Sequence, residues 1–219
     1  MHAPRILTAS LLSTAVLAGT AGAASAATVG PTGPRLETTR ARCVSEIDRR
    51  ITALDSFETR ISGSTRLTTD QKTSINGNLD AVEANLDNVN RPAVVTAVGP
   101  ASLANACSAI YTDNRVFAVV LPQLVNVARG DLLGNGVDKI GTAAANKAAG
   151  GADVSAVTAE LESASGHLAT AMASNASVTV AGFNADPAAA KATFEATGNE
   201  LMSALVDVVQ AKQALDALT

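Results

Sequence analysis

Residues 68–89 read TTDQKTSINGNLDAVEANLDNV, and this stretch decides the fold class. Thr68 followed by Gln71 is a capping box: hydroxyl and carboxamide reciprocally satisfy backbone N–H groups that a helix start leaves open. Ile75, Leu79, Val82, Leu86 and Val89 then recur at a four-three-four-three spacing, which puts all five on one helix face. Pro92 is expected to stop this helix, since the residue before a proline avoids the helical region.

Upstream, Cys43, Ile47, Ile51, Leu54, Phe57 and Ile61 follow the same periodicity and predict a helix of about 25 residues ending at Gly63. Two apolar seams joined by a short polar turn form an antiparallel hairpin with arms about 30 Å long. Its geometry returns Asn88–Asn90 to the level of Cys43, and Cys107 follows soon after. Downstream, Pro92 to Pro100 reads as a Val/Ala connector and Leu103 to Ala149 as a third helical region. Pro122 removes one backbone donor there and is expected to kink it. Gly150-Gly151 breaks the chain, and Asp153 caps the next helix with Val154, Val157, Leu161, Leu168 and Met172 inward. Ser177 to Ala185 reads as a loop with room for one short strand. Asp186-Pro187 starts a helix of about 30 residues, on which Phe194, Leu201, Val208 and Leu215 lie seven apart. The expected architecture is all-α: an elongated bundle of about five helices in antiparallel coiled-coil-like hairpins, the third kinked near Pro122.

The 219 residues are 47% hydrophobic and 2% aromatic, with no tryptophan and a formal net charge of −4. That composition disfavours disorder, and the negative charge and scarce aromatics argue against nucleic acid as a partner. Met1 to Arg5 is positively charged, Ile6 to Leu17 is mostly apolar, and Ala24-Ser25-Ala26 offers small side chains to a signal peptidase. Cleavage is expected after Ala26, with Ala21-Gly22-Ala23 as the rival site. The apolar run is too short for a stable membrane span. Residues 1–26 thus read as a signal peptide, 27–34 as a flexible leader and 35–219 as a single helical-bundle domain. A secreted, extracellular or envelope-associated location follows, and in that oxidising setting Cys43 and Cys107 are expected to form a disulfide.

Two short stretches carry a resemblance. Leu67-Thr68-Thr69-Asp70-Gln71-Lys72 and the run from Tyr111 to Gln123 resemble exported all-helical proteins of unassigned function from high-GC Gram-positive bacteria. No catalytic residue transfers with that resemblance.

Candidate chemistry is sparse. Arg35, Arg40, Arg42, Arg49 and Arg50 cluster near the start of the body, but Glu37, Glu46 and Asp48 alternate with them, as on a solvated helix face. Asp55, Glu58, Asp80, Glu83 and Asp87 fall at helix-surface phases, not as a facing pair in a cleft. His167 sits on an Ala/Ser/Gly-rich helix without a local partner. Gly134-Asn135-Gly136 lacks the lysine of a phosphate loop and reads as a turn or helix irregularity. Asp131, Asn135 and Asp138 lack the spacing of a calcium loop. Asn175-Ala176-Ser177 matches a glycosylation sequon. No cofactor, metal site or catalytic residue is expected. The functional expectation is a non-enzymatic spacer, adaptor or binding module with an envelope or extracellular partner. The alternatives are a hydrolase using helix-borne carboxylates and a carrier of an apolar ligand in the bundle core.

Overall fold

The computed structural model describes residues 33–218, so the expected signal peptide and nearly all of the expected leader lie outside the described residues. The described residues are helical, with no strand among them. In chain order they form α1 (Pro34–Ser62), α2 (Thr69–Asn85), α3 (Arg91–Thr96), α4 (Pro100–Thr112), α5 (Leu121–Ala149), α6 (Ser155–Ser177), α7 (Val180–Ala185) and α8 (Pro187–Ala217). Two single π turns, Leu86–Asn90 and Val116–Val120, lead into α3 and α5.

The punctuation follows local chemistry. The Thr68 hydroxyl accepts from the Gln71 N–H at 3.2 Å, and the Gln71 carboxamide accepts from the Thr68 N–H at 2.9 Å. Gly63 follows the last residue of α1, Gly150 ends α5, and Gly151 supplies a φ of 88° that a side chain would disfavour. The Asp186 carboxylate accepts from the N–H groups of Ala188 and Ala189, both at 3.0 Å, and Pro187 opens α8.

Pro92 does not stop the second helix. The chain passes through the π turn, where the Arg91 N–H bonds the Leu86 carbonyl five residues back, and Pro92 falls in the first turn of α3. A proline lacks an N–H and crowds the carbonyl four residues before it, and the wider turn takes the chain past both conflicts. The extra residue also rotates the buried face by about one position. Asn90, 2% exposed, therefore takes the inward place expected for Val89, which is 57% exposed. The same device precedes Pro122, with the Leu121 N–H on the Val116 carbonyl. Pro122 sits in the first turn of α5 and interrupts no helix interior.

The expected third region divides at Asp113–Arg115, where Arg115 adopts a left-handed conformation with φ 41°. Six long helices result instead of about five, because α4 and α5 are separate. The 177–185 segment is not an open loop or a strand: Thr179 caps α7 by accepting from the Gly182 N–H at 2.9 Å. Pro34, assigned to the leader, is the first residue of α1. Gly134 and Gly136 lie within an unbroken α5, so the expected turn there does not form.

Burial divides into three clusters. The first joins α1, α2, α3, α4 and the start of α5 around Ile47, Leu54, Ile75, Leu79, Leu86, Val94, Leu103 and Ile110. The second joins the end of α5 to α6 and α8 through Ile140, Ala144, Val157, Ala211 and Leu215. A third, smaller one gathers Val119, Val178 and Ala190 with Phe183 and Phe194 against them. On α6 and α8 the deepest positions are mainly small: Ala164 and Ala171 on one helix, Ala190, Thr197, Ala204 and Ala211 on the other. Small side chains let two helices approach closely and push larger neighbours to the flanks. Leu161, Leu168, Met172, Phe194 and Val208 are accordingly half-buried, while Leu201 and Leu215 remain buried as expected.

Candidate functional site

The chemically richest place joins α1, α4 and the second π turn. The Sγ atoms of Cys43 and Cys107 stand at bonding distance, 2.03 Å, with a Cα–Cα separation of 5.6 Å, consistent with the expected disulfide. Seven residues beyond Cys43 lies Arg50; four beyond Cys107 lies Tyr111, so both follow on the same faces as the cysteines. Arg50 Cζ is 4.7 Å from the Tyr111 ring centroid and 5.3 Å from that of Phe117, and Arg49 Cζ is 4.3 Å from Phe117. The result is a layered stack of guanidinium groups and rings.

Glu46 offsets one of its two positive charges. Arg49 donates two hydrogen bonds to that carboxylate at 2.8 and 2.7 Å, and Arg50 Nε stands 3.0 Å from Oε1 without hydrogen-bond alignment. Burial alone would raise the Glu46 carboxyl, but its contacts with Arg49 and Arg50 prevail and hold it below its ordinary value. Burial draws Arg50 downward, against the pull of Glu46. Arg50 is 4% exposed, which corrects the expectation of a solvated arginine face at this position. Arg40 also turns inward, donating to the carbonyls of Val94 and Ala97 at 3.2 and 2.6 Å and closing the end of α3. Arg35 and Arg42 remain exposed. Tyr111 and Phe117 keep 45% and 39% of their surface open, so the stack is buried on one side and presented on the other.

The carboxylates divide. Asp87 and Asp48 share Arg91, at 2.6 and 2.8 Å. One stretch further along the α1–α2 seam, Glu83 meets Asp55, Glu58 and Asp80. Burial, the hydrogen-bonding contact with Asp55 and repulsion from all three raise its carboxyl to about 7. Glu83 is thus not an ordinary surface acid, although Asp55 and Asp80 are exposed. Neither of two surface cavities is lined by these acids. One is a groove of about 500 Å³ between α5 and α6, lined by Gly141, Ala144, Val154, Leu161 and neighbours. The other, of about 170 Å³, lies beside α7.

His167 has partners that sequence spacing hid. Its Nδ1 is 2.6 Å from Glu200 and its Nε2 is 3.8 Å from Asp207, both on α8. The two carboxylates address opposite ring nitrogens and therefore cannot chelate one ion with it. Among the described residues, no group of three or more His, Cys, Asp or Glu side chains is arranged to hold a metal. Asp131, its carboxyl raised by burial, lies on α5 with Asn135 and Asp138. Asn135 bonds the Arg66 carbonyl and the Gln71 side chain, where it joins α5 to the first hairpin turn. Asn175 is 3% exposed, donates to the Gln123 carbonyl and accepts from Asn126, so the folded chain closes the sequon to a glycan. The 100–149 run includes one stretch long and apolar enough, by length and composition, to cross a membrane.

The Arg50 pairing could have been sought in the sequence through Tyr111, the one tyrosine, and Phe117 close by. Their distance in sequence from Arg50 concealed the partner. Comparison with protein-family models, curated proteins and solved structures finds no match.

Proposed function

We propose that this chain is a secreted or envelope-associated, non-enzymatic helical scaffold: an elongated bundle of antiparallel coiled-coil-like hairpins that binds a partner through its surface. The observation that carries the reading is the exposed side of the Arg49–Phe117–Arg50–Tyr111 stack. Aromatic and arginine side chains dominate binding energy where they are held rigidly before the partner arrives. Here Glu46 fixes the guanidinium groups and the Cys43–Cys107 pair holds the supporting helices one to two turns away. The N-terminal signal pattern and the cysteine pair support the location.

A hydrolase built on helix-borne carboxylates has less support, because the Asp55–Glu83 pair lies outside both cavities. The apolar-carrier reading rests on the α5–α6 groove. The test is retention of the purified domain on intact cell envelope, with Tyr111→Ala and Phe117→Ala combined in one variant. The proposal expects the variant to stay helical and to lose at least about tenfold in retention, the scale of one interface hot spot. Equal retention by a folded variant would overturn it.

A further inference from the structure

The long helix α8 carries two seven-residue series, and only one of them faces the core. Phe194, Leu201, Val208 and Leu215 turn inward, half-buried or buried. One residue on, Glu195, Met202, Val209 and Asp216 also lie seven apart, with Asn199, Val206 and Gln213 interleaved, and all seven are exposed. The resulting four-three spacing is that of a coiled-coil seam. Its centre is apolar and open to water: Met202 is 53% exposed, and Val206 and Val209 are 46% exposed each. Its ends are charged. Lys191 pairs with Glu195 at one end and Lys212 with Asp216 at the other. In both pairs the lysine comes first, so the face reads plus, minus, apolar, plus, minus along the helix.

We propose that this face of α8 binds a second copy of the chain, α8 against α8 and antiparallel, about a two-fold axis. Charge selects both the partner and the direction. With Val206 of each copy set against Met202 of the other, Val209 meets Asn199 and Gln213 meets Glu195 in the flanking layers. At the same register Lys191 comes within one residue's rise, about 1.5 Å along the axis, of the level of Asp216 on the other copy. Lys212 comes equally near the level of the other copy's Glu195. Each of the four charges therefore gains a neighbour of opposite sign across the contact. A parallel pairing instead sets Lys191 against Lys191 and Asp216 against Asp216, like against like. The contact uses the same patch on both copies, so it closes at two. Three exposed apolar side chains per copy make it small for an obligate dimer, and the association is expected to be weak, roughly micromolar to millimolar. Every surface of the chain, the Arg49–Phe117–Arg50–Tyr111 stack included, is then displayed twice.

Sedimentation equilibrium of the purified protein at low salt, over a concentration series up to about 1 mM, tests this. The mass should rise toward twice that of one chain. Val206→Glu, an exposed change whose helical content is checked by circular dichroism, should weaken the association at least about tenfold. Two charge variants test the direction. Lys191→Glu with Lys212→Glu makes both ends of the face acidic, and Glu195→Lys with Asp216→Lys makes both basic. Each should self-associate at least about tenfold more weakly than the wild type, and an equimolar mixture should recover the wild-type mass. A single-chain mass at every concentration would overturn the proposal and leave the face to a partner of another kind. A dimer that Val206→Glu leaves unchanged would overturn it as well. Charge variants that associate as the wild type does, or a mixture no heavier than its components, would overturn the antiparallel register. No changed residue belongs to the stack, so the result is independent of the envelope test.

Discussion

Arg50 shows how a charge can be placed inside a helical core. Its guanidinium lies between two rings and beside Glu46, so desolvation is offset by ion pairing and ring contact rather than by water. Removing the acid leaves the arginine buried and uncompensated. Glu46→Ala should cost about 3 kcal/mol in urea unfolding, whereas Arg49→Ala, at a side chain 58% exposed, should cost less than about 1 kcal/mol. Similar costs for both would show that the stack is not an organised unit. At this scale the sequence was legible for local partners only. The Glu46–Arg50 spacing announced an ion pair, but its burial depends on Tyr111, more than sixty residues away. His167 is the same case, since Glu200 and Asp207 reach it from another helix.

Helix boundaries were readable wherever one side chain or one glycine does the work. The Thr68–Gln71 capping box, the Gly63 and Gly150 ends and the Asp186-Pro187 start all concern contacts within a few residues. The π turns were not readable, because a single inserted residue leaves composition unchanged while rotating everything after it. Val89 and Asn90 exchange places for that reason alone. The break at Asp113–Arg115 was also hidden, since it uses a left-handed arginine where glycine would have been the expected signal. Helix interiors offer a direct test of how much glycine costs here. Beyond the adjoining residues and the helix's own nearby backbone, no atom lies within 4 Å of a Cβ added at Gly166 or Gly198, both inside helices. Gly166→Ala and Gly198→Ala should each raise stability by about 0.5–1 kcal/mol, while Leu201→Ala should lower it by about 2–5 kcal/mol. Loss of stability in the glycine variants, measured by thermal unfolding, would mean that backbone approach at those positions has been misread.

The whole molecule combines a first core of larger apolar residues with an alanine-lined seam between α6 and α8, and α5 takes part in both main clusters. The all-helical class was legible because the apolar period is sustained through most of the chain. Which helix meets which was not, as heptad-like spacing fits many partners equally well. The cysteines, 64 residues apart in sequence, connect α1 to α4 within the first core. In the chain-entropy account their bond contributes about 4 kcal/mol, so replacing both with serine should lower the unfolding midpoint markedly without changing the helical content. An unchanged midpoint would remove the bond from the explanation of stability. The central claim is that a preformed surface at α1, α4 and the second π turn meets the partner. Hydrogen exchange of the domain, alone and bound to intact envelope, tests it most directly. The account predicts new protection concentrated at residues 46–50 and 111–120; protection confined to the α5–α6 groove around 141–165, with none at the stack, would contradict it.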